Sequence, residues 1–346
     1  MLEKKKNHRN IPIFIPHMGC PNMCVFCNQR KISGKTCFDR EAVRAEIENA
    51  LSTIPPECEV EIAYFGGSFT GIDRELMIYL LDVAQSFIDR DGDGHARVTG
   101  IRMSTRPDYI NGEILDILSH YTISAIELGL QSMDDNVLEK SKRGHNSLCA
   151  EKACKMISGR GFELVGQMMI GLPASTPESE IYTAKKICDM GAVGARIYPT
   201  VVFYETELAD MAKSGEYEML ELEDAIKRSA DVLEVFEARG VDCIRIGLCS
   251  SDNLSDETCV MGGANHPALG ELVLGEYLYK RMSSLIEQSG EAADGRTAIF
   301  TVPRGRLSAS IGQRGKNRDR LKKNYGLKSV IIREGDASGV TLRIQT

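Results

Sequence analysis

The sequence predicts a parallel α/β barrel with a small basic α+β module at its carboxyl end, and three observations predict it. Short β-branched runs alternate with longer stretches of helical period through most of the chain. A loop rich in thiols follows the first of those runs, at residues 17–30. The charge is divided: residues 301–346 carry a net +8, while the chain as a whole carries −7, which leaves −15 on the first 300 residues. With 346 residues, 42% hydrophobic and 26% charged, the chain can bury one large core and a small appended one.

The first run, Ile11 to Pro16, reads as a strand. It is too short and too proline-broken to be the apolar core of a secretion signal, and no segment approaches a membrane span. Further strands are expected at Val60 to Phe65, Val98 to Ser104, Ser124 to Leu130, Leu164 to Gly171 and Gly194 to Tyr198. Between them, helices are expected at Arg40 to Thr53, Arg74 to Asp89, Gly112 to Ser119, Ser147 to Ser158 and Pro177 to Asp189. Six βα units in sequence call for a parallel sheet with helices outside, curled into a partial or closed (β/α)6 barrel, although a flat doubly wound sheet has the same period. The rhythm then changes to an acidic helix pair within Leu208 to Ala238, a strand at Val241 to Gly247, a polar loop from Ser250 to Pro267 and a helix from Leu269 to Glu287. The boundaries follow: a barrel over 1–250, a connecting loop and helix over 251–295, and the basic module over 296–346.

Eleven cysteines, an odd number and mostly scattered, do not form the dense even framework of a small secreted domain, so a reducing cytoplasm is expected. Cys20, Cys24 and Cys27 are different, because they share one loop at the spacing C-x3-C-x2-C. Ligands of parallel βα folds gather at the carboxyl ends of the strands, and this loop follows the first strand. Three thiolates can hold the corner of a 4Fe-4S cube and leave its fourth iron open. A zinc site with His17 as a fourth ligand, or thiols without any metal, are the other readings of the same residues.

The spacing, with Phe26 before the last cysteine, resembles the signature of the radical S-adenosylmethionine (SAM) superfamily. The resemblance continues in order through YFGGSFTG at Tyr64 to Gly71, STRPDYI at Ser104 to Ile110 and IELGLQS at Ile126 to Ser132. It is completed by KRGHN at Lys142 to Asn146, MMIGLP at Met168 to Pro173 and the segment Arg196 to Tyr217. As a set these are similar to the radical SAM half of the Elongator catalytic subunit, over residues 11 to 250. The resemblance implies a TIM-like barrel in which SAM binds the open iron and is cleaved to methionine and a 5′-deoxyadenosyl radical. It also implies that Phe26, Gly66, Gly67, Ser68, Thr70, Arg106 and Gln131 contact SAM. Gly66 and Gly67 suit close backbone approach, Ser68 and Thr70 offer hydroxyls, Arg106 suits a carboxylate, and Gln131 suits the ribose hydroxyls. Ser104 stands where Elongator relatives often carry an acid, so the partner of Arg106 is open. Arg106 bracing its loop and Glu127 pairing with a neighbouring cation are the plainer alternatives.

The segment Asp89 to Gly94 begins like a calcium loop but lacks its closing glutamate, so it reads as a turn. Cys243, Cys249 and Cys259 read as ordinary cysteines, and His266 either reaches the barrel mouth or forms a helix entry. In the basic module, Gly312, Gln313, Arg314 and Gly315 precede Lys316 and a basic helix, with strands expected at Val330 to Arg333 and Val340 to Ile344. This resembles a KH domain, whose GXXG loop approaches nucleic-acid phosphates, and implies that these five residues touch RNA.

The leading expectation is a radical SAM enzyme that modifies a base in RNA, in particular tRNA, with a flavodoxin or ferredoxin as electron donor and no membrane partner. The chain closes on the KH-like module, which leaves no room for the Elongator subunit's acetyltransferase domain. The alternatives are an oxidase or decarboxylase of a small metabolite such as a porphyrinogen, and an inert iron-sulfur RNA-binding protein.

Overall fold

The computed structural model describes residues 8–15, 18–20, 24–28, 38–88, 97–248, 254, 256, 258–290, 292–336 and 338–345. The first six strands are β1 (His8–Ile15), β2 (Glu59–Gly66), β3 (Arg97–Thr105), β4 (Ile123–Gln131), β5 (Glu163–Ile170) and β6 (Gly194–Pro199). A further parallel strand, β8 (Asp242–Ile246), follows β6 in a seven-stranded sheet of order β1-β2-β3-β4-β5-β6-β8. Every neighbouring pair is parallel. Since β1 and β8 stand at opposite ends of that order, the sheet is a partial barrel. Its helices cover one face: α1 (Val43–Thr53), α2 (Arg74–Gln85), α3 (Gly112–Leu118), α4 (Asp135–Lys140), α5 (Ser147–Gly159), α6 (Pro177–Asp189), and, after α7 (Glu207–Ser214), α8 (Leu222–Arg239).

Alternation within the strands explains which face is which. Ile11, Ile13 and Ile15 of β1, and Val60, Ile62 and Tyr64 of β2, are buried in the large core with Ile47, Leu80 and Leu81 of the helices. The other face is polar: Glu61, Arg102, Glu127 and Arg196 point into the barrel and bond one another. Side chains of Asp73, Asn111, Asp134, Asn146, Thr176 and Thr206 cap α2 to α7 by accepting first-turn amides, which fixes where each helix begins. Helix α2 ends at Gln85, short of the expected Asp89, because Ile88 leaves the helix to bridge Val98 beside β3.

Besides α4, which the sequence reading did not expect, three strands depart from the sequence expectation. Part of the stretch expected as a loop, Ser250 to Pro267, forms β9 (Val260–Gly263), antiparallel to a three-residue strand β7 (Val201–Phe203). Strand β10 (Thr297–Pro303) opens the basic module, although its alternation is plain, with Ala298, Phe300 and Val302 buried. From there run α10 (Leu307–Ile311), α11 (Lys316–Asn324), β11 (Ser329–Gly335) and β12 (Thr341–Gln345), whose strands form a sheet of order β11-β10-β12. The long helix α9 (Leu269–Ser289) serves both units: Leu269 and Val273 enter the large core, and Tyr279, Met282 and Ile286 join Phe300, Leu321 and Val330 in the small one. Burying each such side chain stabilises the packing by about 1.5–3 kcal/mol, so α9 ties the module to the barrel. His17, Cys249 and the turn expected at Asp89 to Gly94 lie outside the described residues.

Candidate active site

The loop after β1 is clamped from two sides. Val25 donates its amide to Ser141 O, and Leu208, in the first turn of α7, donates to Val25 O at 2.8 Å. The Cys27 amide closes a turn onto Cys24 O at 3.0 Å. Val25 is buried with Val202, Leu208, Ala209 and Tyr217, and Phe26 packs against that cluster, so the aromatic before the last cysteine roots the loop. Burial keeps the Cys20 thiol above its ordinary pKa, opposed by the Arg106 guanidinium, and pushes Cys27 up to about 12, with the Cys24 and Cys20 thiols adding to the rise.

The glycine segment after β2 lies against this loop, backbone on backbone. Gly67 donates to Ile15 O at 2.9 Å and Ser68 to Met18 O at 3.0 Å. A Cβ on Gly67 would stand 2.0 Å from Met18 O, and one on Gly66 2.7 Å from Ile15 O. The room these glycines leave is therefore taken by the protein's own backbone, the end of β1 at Gly66 and the cysteine loop at Gly67. The hydroxyls behind them are also engaged: Ser68 and Thr70 both bond Thr105 Oγ1, at 2.8 and 2.6 Å, and Thr70 donates to Tyr109 O. This buried trio braces the end of β2 on the end of β3.

Arg106 finds its partner two residues on. Its Nε and Nη2 grip Asp108 bidentately at 2.9 and 2.8 Å, and Nη2 also donates to Arg143 O. Arg143 in turn donates through Nη1 to Cys24 Sγ at 3.2 Å and through Nη2 to Gly129 O at 2.6 Å. Three buried polar atoms around these groups, Arg106 Nη1, Arg143 Nε and Gln131 Oε1, have no hydrogen-bond partner among the described residues, and the buried His145 ring lies 4.0 Å from Asp108. Gln131 holds its place with a left-handed backbone, φ 66°, at the end of β4. The His145 imidazole is inaccessible, and burial, reinforced by Arg143, holds its pKa down at about 4. An unpartnered buried polar atom costs about 1–3 kcal/mol, so three of them beside one loop, unpaired among the described residues, suit a polar ligand.

The plainer alternative for Glu127 is what the fold displays. Its fully buried carboxylate accepts from Arg196 at 2.7 Å, Gln167 at 2.9 Å and Arg102 at 3.2 Å. Arg196 also lies over the Phe65 ring, 5.4 Å from its centroid, so it reaches across the barrel to the residue before Gly66.

A profile of the radical SAM superfamily matches residues 14–187, the region just described, and one of the radical SAM C-terminal domain matches residues 192–280. The chain belongs to the radical SAM superfamily. Among relatives, uncharacterized protein MJ0486 of Methanocaldococcus jannaschii is 30% identical over 65% of this chain and 70% of its own length. The tRNA uridine(34) acetyltransferase of the same organism is 26% identical over 66% of this chain but only 44% of its own length. Archaeal Elp3 from Methanocaldococcus infernus shares the fold, with a TM-score of 0.59 at 22% identity over 81% of this chain and 64% of that one.

The residues present suit the radical SAM cofactors. Among the described residues no three His, Cys, Asp or Glu side chains gather to hold a single metal ion. A 4Fe-4S cube asks for less convergence, because each thiolate takes a different iron. The unpartnered donors of Arg106 and Arg143 suit a carboxylate, and the acceptor of Gln131 suits a hydroxyl. Neither Arg143 nor His145 was singled out by sequence reasoning, although both stand in the KRGHN segment; spacing alone could not show that this segment folds back onto Cys24.

Elsewhere, Cys243 and Cys259 hold to ordinary roles, the first placing its thiol 3.8 Å from Arg245 O and the second 3.7 Å from Asp256. His266 is a helix entry: its Nδ1 accepts from Ala268 and its carbonyl from Leu269. In the basic module, Gly312, Arg314 and Gly315 adopt positive φ of 77°, 53° and 79°, so the GQRG segment is a tight turn leading into α11, with Gln313, Arg314 and Lys316 exposed.

Proposed function

We propose that this protein is a radical SAM enzyme that modifies a base in RNA, with tRNA as the substrate class. The observation that carries the proposal is the group of buried polar atoms, Arg106 Nη1, Arg143 Nε and Gln131 Oε1, that have no partner among the described residues beside a clamped three-cysteine loop. Cys20, Cys24 and Cys27 would hold a 4Fe-4S cluster, Arg106 Nη1 and Arg143 Nε would receive the SAM carboxylate, and Gln131 Oε1 a ribose hydroxyl. When bound, the cluster supplies the electron that cleaves SAM to methionine and a 5′-deoxyadenosyl radical able to take hydrogen from a substrate. Arg143 holds Cys24 in place and lends it positive charge. The Ser68–Thr70–Thr105 brace fixes the strand ends, and the belt from Glu61 to Arg196 floors the barrel below.

The RNA reading rests on the basic module. Its GQRG turn opens α11, which carries Lys316, Arg318, Arg320, Lys322 and Lys323, and a turn of this kind offers backbone amides and a helix N-terminus to phosphate. The tRNA-modifying name of one relative agrees with it. An electron donor of the flavodoxin or ferredoxin kind would serve the cluster. The deciding experiment is mass spectrometry of nucleosides in RNA from cells with and without this gene. A modified nucleoside lost with the gene is expected; an unchanged nucleoside profile, with reconstituted protein still yielding 5′-deoxyadenosine, would move the substrate from RNA to a small metabolite.

A further inference from the structure

Among the described residues five α-helices begin without a side-chain cap, and three of them, α8, α9 and α11, begin around the same cavity. Helix α8 starts after Glu221, α9 after Ala268 and α11 after Gly315, and none of these residues makes a side-chain cap hydrogen bond. The first-turn amides of Leu222, Glu223, Gly270 and Glu271 find no acceptor among the described residues, whereas the Lys316 amide that opens α11 donates to Gln313 O within the GQRG turn. A cavity of about 230 Å³ separates these ends, with Leu222, Ile226 and Leu272 on the barrel side and Gly312, Gln313 and Lys316 on the other. It lies at the same end of the barrel as the cysteine loop. Leu220, just before α8, packs on Gly171 beyond the end of β5, and Gly270 of α9 faces Ile246 O at the end of β8.

The GQRG turn is held firmly at this place. Asn317 Nδ2 donates to Gly275 O at 2.8 Å and to Ala309 O at 3.2 Å, and the missing Cβ of Gly275 lets Ala309 O come close. The charges facing the cavity are largely matched. Arg320 grips Glu276 with both Nη atoms, Lys316 meets Glu223 at 3.1 Å, and Glu271 accepts from Ser308 Oγ at 3.1 Å. The Lys316–Glu223 pair is exposed at both ends, so it is worth at most about 1 kcal/mol and a phosphate backed by turn amides can displace it.

We propose that this cavity takes one nucleotide of the RNA strand held by the GQRG turn. Its phosphate replaces Glu223 at Lys316, its base and ribose lie on Leu222, Ile226 and Leu272, and Glu271 accepts from a base amino group. Built on the RNA reading above, this assigns the barrel's own α8 and α9 to RNA recognition and aims the strand toward the active end of the barrel.

Amide hydrogen exchange of the full chain, with and without unmodified tRNA, tests it. Bound tRNA should slow exchange at 222–224 and 270–272 as well as at 312–318, by about fivefold or more, because uncapped first-turn amides otherwise exchange readily. Glu223→Gln should tighten tRNA binding up to about fivefold by removing the competitor for Lys316. Glu271→Ala should weaken it about fivefold through the lost base contact. Protection confined to 312–318, with both variants binding like the parent, overturns the cavity proposal and leaves the RNA reading standing. Inorganic phosphate alone producing the same protection at 222–224 and 270–272 would also overturn it, in favour of a free-anion site. If tRNA binds nowhere, the RNA reading itself falls, and the proposal with it.

Discussion

Arg143 Nη1 donates to Cys24 Sγ at 3.2 Å, across 119 positions of sequence. The contact joins the segment after α4 to the cysteine loop and places a permanent cation beside a thiol that must ionise to bind iron. Arg143→Lys keeps the charge but loses the fork that also reaches Gly129 O. Cluster affinity should fall about 10–100-fold, as for other groups that orient a metal ligand. Iron and sulfide retained after graded chelation, compared with the parent chain, measures it; equal retention would reduce Arg143 to a packing residue.

The cysteines themselves give the coarsest check. Anaerobic reconstitution should load about four irons and four sulfides per chain, and Cys20→Ala, Cys24→Ala or Cys27→Ala should each remove most of both. Zinc in place of iron in anaerobically purified protein would defeat the cofactor assignment.

Gly67→Ala tests the packing of the glycine segment on the loop. The new Cβ would lie 2.0 Å from Met18 O, a backbone atom that cannot swing aside. Denaturant unfolding of the variant should lose about 2–3 kcal/mol. Gly112→Ala, where nothing stands within 4 Å of the added carbon, is the control and should change little.

His145 predicts a pH dependence of stability. Its pKa is held at about 4 against an ordinary 6.5, first by burial and then by Arg143. Because the folded value is the lower one, the unfolded chain binds the extra proton. The stabilising contribution is complete above pH 6.5 and is lost as pH falls toward 4, to a total of about 3 kcal/mol. Urea unfolding of the parent and of His145→Gln over pH 7 to 4 should show this slope in the parent alone; parallel curves would mean that the imidazole is already protonated in the fold.

Glu127 carries the last prediction. Its carboxylate is fully buried between Arg102 and Arg196. Arg196→Met should destabilise by about 2–4 kcal/mol, because Arg102 is left as the one charged partner, at the longer distance. Stability equal to the parent in denaturant unfolding would show that the pair makes no net contribution.

Much of the barrel was legible because its rules are local. Alternation placed β2 to β6 within a residue or two, and the helices expected from Gly112, Ser147 and Pro177 begin at those residues, each capped by the residue before it. What escaped was non-local. Strand β9 is short and glycine-rich and exists because Val260–Gly263 pairs with Val201–Phe203, far away in the chain. The bidentate partner of Arg106 was only two residues away, yet a carboxylate at that spacing is silent until the turn after β3 brings it round.

By itself, then, the order of amino acids determined a run of βα units, a loop with three thiols at one spacing and a basic carboxyl end, since periodicity, spacing and charge are properties of neighbouring residues. Tertiary structure alone decided that the sheet stays open, that Arg143 meets Cys24, and that the uncapped starts of α8, α9 and α11 share one cavity. Those outcomes depend on packing energies summed over segments that touch only after the chain has folded.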